Sequence, residues 1–213
     1  MIIERRLVEA YTAMAIDRIA MGYTPYLLTL MFNPIDGSKH RRQEVMYKET
    51  QRLYAKLLTR MIRRPKKHPI DELPFWIGCS DWPVPKDFKD HLFNIAQNDG
   101  QHIHIAAFQP PRCEIDGGLL NRIEDHQSHI HGPEHAFQRV HAYEITETPK
   151  KAVGYVLKSL SRRRIAAEDV LVLPRAHSEM TTYTPYEREQ LRVEENERKA
   201  VRLHAAYRAA KAQ

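Results

Sequence analysis

The sequence from position 102 to 108 reads His102-Ile103-His104-Ile105-Ala106-Ala107-Phe108. Apolar residues separate and follow the two histidines, as is typical of a strand in a protein core. Because side chains alternate between the two faces of a strand, both imidazoles point to one face, about 6.5 to 7 Å apart. Imidazole nitrogens are common ligands of divalent metals. The stretch therefore predicts a core strand that carries two ligands of a metal site.

Three other segments have the pattern of strands, namely residues 26–32, 75–79 and 137–145. The first is a short apolar run that ends at Asn33-Pro34, as expected of a central strand. Asn98-Asp99-Gly100-Gln101 separates residues 91–97 from the histidine strand, and Asp-Gly is a strong hairpin signal. We therefore predict that the histidines lie on the second arm of a hairpin, with a helix over residues 87–97 as the alternative.

Helical patterns alternate with these strands. They cover residues 1–21, 39–64, 119–129 and 153–163. The chain is thus predicted to be α+β, with an antiparallel sheet and crossover helices. Thr184-Pro185-Tyr186-Glu187 has the residues of a helix start, which predicts a long charged helix up to about residue 210. The predicted organisation is an N-terminal helix packing on the core (1–22), one domain (23–175), and a linker with the C-terminal helix (176–213).

The composition favours a soluble protein with a polyanionic partner. The 213 residues include 33 Lys and Arg against 27 Asp and Glu, a formal net charge of +6. Charged residues interrupt the apolar positions of the N-terminal segment, so neither a secretory signal nor a membrane span is predicted. Cys79 and Cys113 lack the spacing of a thiolate zinc site, and a reducing cytoplasm is the expected location.

Tyr155 and Lys158 are three residues apart in a helical pattern, so they share a helix face and could place a phenol beside an ammonium. The lysine could lower the phenol pKa or neutralise a phosphate, and the sequence leaves both roles open. Tyr143 lies on a predicted strand, where it could assist or only pack. Tyr183 and Tyr186 lie near the start of the tail and compete less well as nucleophiles.

Three segments, in this order, resemble the motifs of the HUH endonuclease superfamily, particularly the rolling-circle replication initiators of plasmids and small phages. They are residues 27–32, His102-Ile103-His104, and Tyr155-Val156-Leu157-Lys158. The resemblance covers residues 24–165 and implies an RRM- or ferredoxin-like palm. It implies a divalent metal, Mg²⁺ or Mn²⁺, held by His102 and His104. It also implies that Tyr155 attacks DNA to form a 5′-phosphotyrosine.

The resemblance implies nicking and rejoining of single-stranded or hairpin DNA at an origin, to initiate rolling-circle replication. Without a visible Walker-type loop, unwinding would need a host helicase. A single-tyrosine transposase of the same superfamily, with two paired subunits, is a second hypothesis, and a homodimer is open in either case. The chain could instead be a non-catalytic DNA-binding regulator, or an interaction protein that acts through its tail.

The third metal ligand is ambiguous in the sequence. Residues 93–97 offer no carboxylate, so Gln97 is the predicted third ligand and Asn94 the other nearby oxygen donor. Further candidates for the third ligand are His91, Asp90 and Glu144. A rival cluster lies in a predicted polar loop and would either bind a second metal or have no such role: His126, His129, His131 and His135.

Cations near the predicted nucleophile favour contacts with DNA phosphates. Arg162, Arg163 and Arg164 follow the tyrosine helix directly and would lie close to the scissile bond. Lys66 and Lys67 form a second predicted DNA-binding pair, after the helix over residues 39–64.

Overall fold

The computed structural model describes residues 2–82, 101–113, 118–125, 127–132 and 134–174. Some predictions concern positions outside these ranges, including the helix over residues 184–210. The individual residues that lie outside are Asp90, His91, Asn94, Gln97, His126, Tyr183 and Tyr186.

The described part of the chain forms a five-stranded sheet with helices on both faces. The strands are β1 (Thr24–Phe32), β2 (Phe75–Asp81), β3 (His102–Gln109), β4 (Phe137–Glu144) and β5 (Leu171–Leu173). The helices are α1 (Ile2–Ala20), α2 (Lys39–Met61), α3 (Gly118–Asp125), α4 (Gln127–Ile130), α5 (Pro149–Val156) and α6 (Lys158–Ser161). Short 3₁₀ turns cover Pro65–Lys67, Ile70–Glu72 and Ala167–Asp169.

The strand order is β4-β1-β3-β2-β5, and every pair of neighbours is antiparallel. The first four strands, with α2 between β1 and β2 and α3 between β3 and β4, have the order of a ferredoxin-like split β-α-β fold. The predicted α+β class with an antiparallel sheet and crossover helices is therefore confirmed. β5 extends the sheet beyond β2 and was not predicted.

The central position of β3 corrects the predicted hairpin. Along its length β3 pairs with β1 on one side, from Thr24↔Gln109 to Met31↔His102. On the other side it pairs with β2, where Asp81 is opposite His102. Both edges of β3 are occupied, so the predicted pairing of this strand with residues 91–97 is wrong. The Asp-Gly signal is local, whereas the observed pairings bury whole apolar strands.

One face of the sheet packs against α2 and α3. Ser38 caps α2 by accepting a hydrogen bond from the Arg41 amide, and the helix ends at Met61, before Pro65. Its buried residues recur at helical spacing, as predicted from the sequence. The core between this helix layer and the sheet includes Leu28, Leu30, Ile103, Ile105, Met46, Leu53, Leu57, Leu119 and Ile123.

The opposite face is covered over β2 and β3 by α5 and α6, and α1 packs against both of these helices. The buried side chains in this layer include Ile77, Phe108, Val153 and Leu160. Arg163, two residues after the end of α6, forms an ion pair with Glu4 of α1 at 2.8 Å. None of the helices in the described ranges is long and apolar enough to cross a membrane.

The burial of Tyr23 can be tested by measuring how the stability of the protein changes at alkaline pH. Its hydroxyl donates to the Asp71 carbonyl at 2.5 Å, and burial, partly offset by Arg18, raises its pKa to about 12. The folded protein therefore holds this proton more tightly than the unfolded chain. The resulting stability is fully present below pH 10 and is lost as the pH rises to about 12, by roughly 3 kcal/mol.

We expect Tyr23→Phe to make the free energy of unfolding fall less steeply between pH 10 and 12, in urea titrations at several pH values. At neutral pH the variant loses the hydrogen bond and is expected to be about 1 kcal/mol less stable. If the free energy of unfolding falls equally steeply between pH 10 and 12 in the variant and the unaltered protein, the Tyr23 hydroxyl is not buried as described.

Candidate active site

Two histidines from β3 form the base of the site. His102 and His104 lie on the sheet face covered by α5 and α6, and their ring centroids are 4.8 Å apart with nearly perpendicular planes. His104 is 6% exposed, whereas His102 is partly exposed. The prediction that both imidazoles share one face of a strand is confirmed.

A carboxylate from the neighbouring strand completes the cluster. Asp81 is opposite His102 in the β2–β3 register. Its Oδ2 lies 3.2 Å from His102 Nε2 and 3.9 Å from His104 Nε2. The ligand atoms of these three residues all lie within 4.8 Å of one another, close enough to bind one metal ion.

Asp81 was missed in the sequence because the predicted strand ended at Cys79. Two further residues of strand place Asp81 on the face of Cys79, and the alternation of residues 77, 79 and 81 was the available signal. The predicted third ligand, Gln97, lies outside the described residues. Glu144, a further candidate for the third ligand, lies on β4, which is separated from β3 by β1.

The donor set fits a divalent cation. Two imidazoles and one carboxylate are the ligands of many catalytic metal sites that keep positions open for substrate oxygens. Carboxylate oxygen suits Mg²⁺ and Mn²⁺, and imidazole suits the first-row transition metals.

Asp81 is held as a carboxylate although it is only 7% exposed. Burial alone would raise its pKa, but hydrogen bonds from His102 and Lys158 outweigh burial and hold the pKa well below its usual range. Lys158 Nζ lies 2.5 Å from Oδ2, and the buried Ser159 hydroxyl donates to Oδ1 at 3.1 Å. A negative ligand is therefore present at neutral pH.

His104 is held as a neutral imidazole. Burial, together with the charges of His102 and Lys158, lowers its pKa to about 4. Its Nδ1 lies 3.1 Å from Thr29 Oγ1, and its Nε2 lies 3.1 Å from the Tyr155 hydroxyl. With the proton on Nδ1, His104 donates to Thr29, and the Nε2 lone pair faces the cluster.

Thr29 is therefore expected to orient His104. Thr29→Val keeps the side-chain shape but removes the oxygen, and we expect Mn²⁺ affinity to fall by about 10- to 100-fold, as for other partners of metal-binding histidines. Isothermal titration calorimetry measures this affinity, and Thr29→Ser, which keeps the oxygen, is the control. Equal affinity of the valine variant and the unaltered protein would refute the orienting role.

Tyr155 reaches the cluster from α5. Its ring centroid lies 4.7 Å from that of His104, and 45% of the residue is exposed. Lys158 Nζ lies 4.3 Å from the centroid of the tyrosine ring. The predicted proximity of this phenol and ammonium is confirmed, whereas the single helix predicted over residues 153–163 is divided at Leu157 into α5 and α6.

The predicted DNA-binding cations do not all lie near this cluster. Arg162, Arg163 and Arg164 directly follow α6, although the Arg163 guanidinium is bound to Glu4. Lys67 lies four residues before Asp71, whose carbonyl accepts from Tyr23 beside the start of β1, at the end of the sheet away from Asp81. The six residue steps from Phe75 to Asp81 span about 20 Å, so the structure does not bring Lys66 or Lys67 to the site.

The rival histidine cluster is only partly described. His131 forms an isolated bridge with Phe137, and the side chain of His135 is half-buried. Within the described ranges, neither residue belongs to a group of three ligands close enough to hold a metal. His126 and the side chain of His129 lie outside the described part of the chain, so the predicted second site stays a prediction.

Comparisons of the chain with models of protein families, with curated proteins and with solved structures give no match. The functional assignment therefore depends on the chemistry of the side chains around Asp81. A buried carboxylate, two imidazoles, a phenol and an ammonium converge there from β2, β3, α5 and α6.

Proposed function

We propose that this protein is an HUH-type nuclease and strand transferase that cleaves single-stranded DNA through Tyr155. One observation carries the proposal: the Tyr155 hydroxyl lies 3.1 Å from Nε2 of His104, a member of the cluster with Asp81 and His102. A half-exposed nucleophile beside a set of metal ligands is the arrangement needed to attack a phosphodiester.

In the proposed reaction the Tyr155 oxygen forms a bond to phosphorus, and the bond from phosphorus to the 3′ oxygen breaks. The phenol proton passes to solvent, and the 3′ oxygen takes up a proton to leave as a hydroxyl. A Mg²⁺ or Mn²⁺ ion held by Asp81, His102 and His104 would offset the negative charge that develops on the phosphate. The 5′-phosphotyrosine keeps the energy of the broken bond, so the reverse attack rejoins the strand without ATP.

Lys158 has two tasks in this proposal. Its ammonium lies 2.5 Å from Asp81 Oδ2, which holds it in the site, and 4.3 Å from the centroid of the Tyr155 ring. A positive charge over the face of the ring attracts the π electrons and helps to hold Tyr155 in place. The same charge also neutralises part of the charge on an approaching phosphate.

The proposed role is initiation of rolling-circle replication at an origin hairpin of a plasmid or phage, in the cytoplasm and with a host helicase. The same chemistry would serve a transposase of the superfamily. A DNA-binding regulator with this fold would need no cleavage.

The proposal is tested by covalent capture. The purified protein is incubated with a pool of labelled single-stranded hairpin oligonucleotides that includes the origin of its own element, with Mg²⁺ or Mn²⁺. Denaturing gels and mass mapping then locate any DNA-linked peptide. We expect an adduct on Tyr155 that is lost with a chelator. An adduct on another tyrosine would refute the nucleophile assignment, and tight binding without any adduct would favour the regulator.

A further inference from the structure

Strand β4 extends the sheet face that carries the histidines. In the β1–β4 register, Arg139, His141 and Tyr143 are opposite Met31, Thr29 and Leu27. Met31 and Thr29 are in turn opposite His102 and His104 on β3. Because directly opposed residues share a face, these three side chains of β4 lie on the same face as the candidate active site.

This part of the face is open to solvent. Arg139, His141 and Tyr143 are all exposed, and 56% of Tyr143 is accessible. Val140, which points to the opposite face, is buried against the α2 side of the sheet. Glu144, four residues after Val140, is exposed as well, and the exposed positions on the histidine face include the large aromatic ring of Tyr143.

The charges around the open face suit a polyanion. The positive charge on β4 is that of Arg139, since desolvation and the charges of Arg139 and His131 lower the pKa of His141 and favour its neutral form. Lys151 is exposed on α5 and lies four residues before Tyr155, on the same helix face. Basic groups thus lie on β4 and on α5, the helix that carries Tyr155.

We propose that Arg139, His141 and Tyr143 form a platform for single-stranded nucleic acid, on which Tyr143 stacks against a base that flanks the scissile phosphodiester. The inference rests on the proposed function, because the strand that binds this platform is the one that would be cleaved at Tyr155. Two strand spacings and two residues of strand separate Tyr143 from His104, about 12 Å between backbones. Tyr143 therefore lies beyond the reacting phosphate but close enough to hold a neighbouring nucleotide.

An extended single strand is the occupant that these side chains favour. An exposed tyrosine offers a stacking surface for any base, and flanking cations bind the phosphates. A second copy that added to the sheet would instead pair with the backbone edge of β4, which needs none of these side chains.

The test uses Tyr155→Phe protein with a chelator, so that binding is measured without cleavage. Fluorescence anisotropy with labelled 12-residue oligothymidylate is expected to show a Kd about 5- to 150-fold weaker for the Tyr143→Ala form than for its parent. Tyr143→Phe, which keeps the ring, should bind as the parent does. Arg139→Ala should reduce the salt dependence of log Kd by about 0.7, whereas Arg60→Ala, on α2 across the sheet, should not.

A parallel assay separates this inference from the proposed function. With Tyr155 intact and metal present, Tyr143→Ala should raise the DNA concentration needed for half-maximal adduct formation but leave the maximal rate unchanged. Adduct formation with unaltered binding in the Tyr143→Ala form would overturn the platform and keep the nuclease. Binding that depends on Tyr143 without any adduct would support the platform and overturn the proposed nuclease.

Three further measurements complete the test. Thermal unfolding should be unchanged in the variants, because both altered side chains are exposed. Oligouridylate of equal length shows whether the platform prefers DNA or RNA. A change of molecular mass by light scattering in Tyr143→Ala, without a change in Kd, would assign the face to a protein interface and overturn the proposal.

Discussion

Replacing Tyr155 with phenylalanine is expected to abolish the covalent adduct with single-stranded DNA, with a loss of rate on the order of 10⁵-fold. The substitution removes the single oxygen proposed to attack phosphorus and leaves the ring that packs 4.7 Å from His104. Because Tyr155 is 45% exposed, the free energy of unfolding should fall by no more than about 1.5 kcal/mol. The rate is measured by quenching the reaction into denaturing gels.

Tyr143→Phe is the matched control for this substitution. It removes a hydroxyl from an exposed tyrosine of β4, on the sheet face that carries the histidines. It should form the adduct at the normal rate. Mn²⁺ affinity should stay within a few-fold in the Tyr155→Phe form, because the phenol is not among the three proposed ligands. Persistence of a DNA-linked peptide in that form would show that another residue is the nucleophile.

Replacing Asp81 with asparagine is expected to weaken Mn²⁺ binding by more than about 100-fold, since partners of metal ligands alone contribute 10- to 100-fold. The amide has nearly the same shape as the carboxylate and can still accept from Ser159, which donates at 3.1 Å. It lacks the negative charge that two imidazoles cannot supply. Calorimetric titration gives the affinity, and the rate of adduct formation should fall at least as far at limiting metal.

Asp81 also holds Lys158 at 2.5 Å, so the same substitution leaves a largely buried ammonium without its carboxylate. We therefore expect a loss of stability of up to about 3 kcal/mol, which urea unfolding in the absence of metal would measure. His102→Ala provides a second variant, because it removes a partly exposed ligand and leaves the ion pair between Lys158 and Asp81 in place. Asp17→Asn, an exposed carboxylate on α1, controls for charge. Normal Mn²⁺ affinity in both site variants would refute the metal centre.

Local patterns in the sequence predicted the parts of the fold that depend on near neighbours. Short apolar stretches identified most of β1 and β2, alternation identified β4, and helical spacing identified α2 to within a few residues. The same alternation put His102 and His104 on one face, and the three-residue interval brought Tyr155 near Lys158. These predictions succeeded because backbone geometry alone relates residues a few positions apart.

The rest of the site depends on contacts between residues far apart in the chain. The Thr29–His104 and Asp81–Ser159 contacts span 75 and 78 residues. The hairpin prediction failed for the same reason, since β3 pairs with β1 and β2 rather than with its local neighbour. The sequence by itself thus determined the class of fold, the histidine pair and the tyrosine with its lysine. Only the tertiary structure decided that Asp81 completes the cluster and that Lys66 and Lys67 lie far from it, because strand order and register follow from burial of the whole sheet.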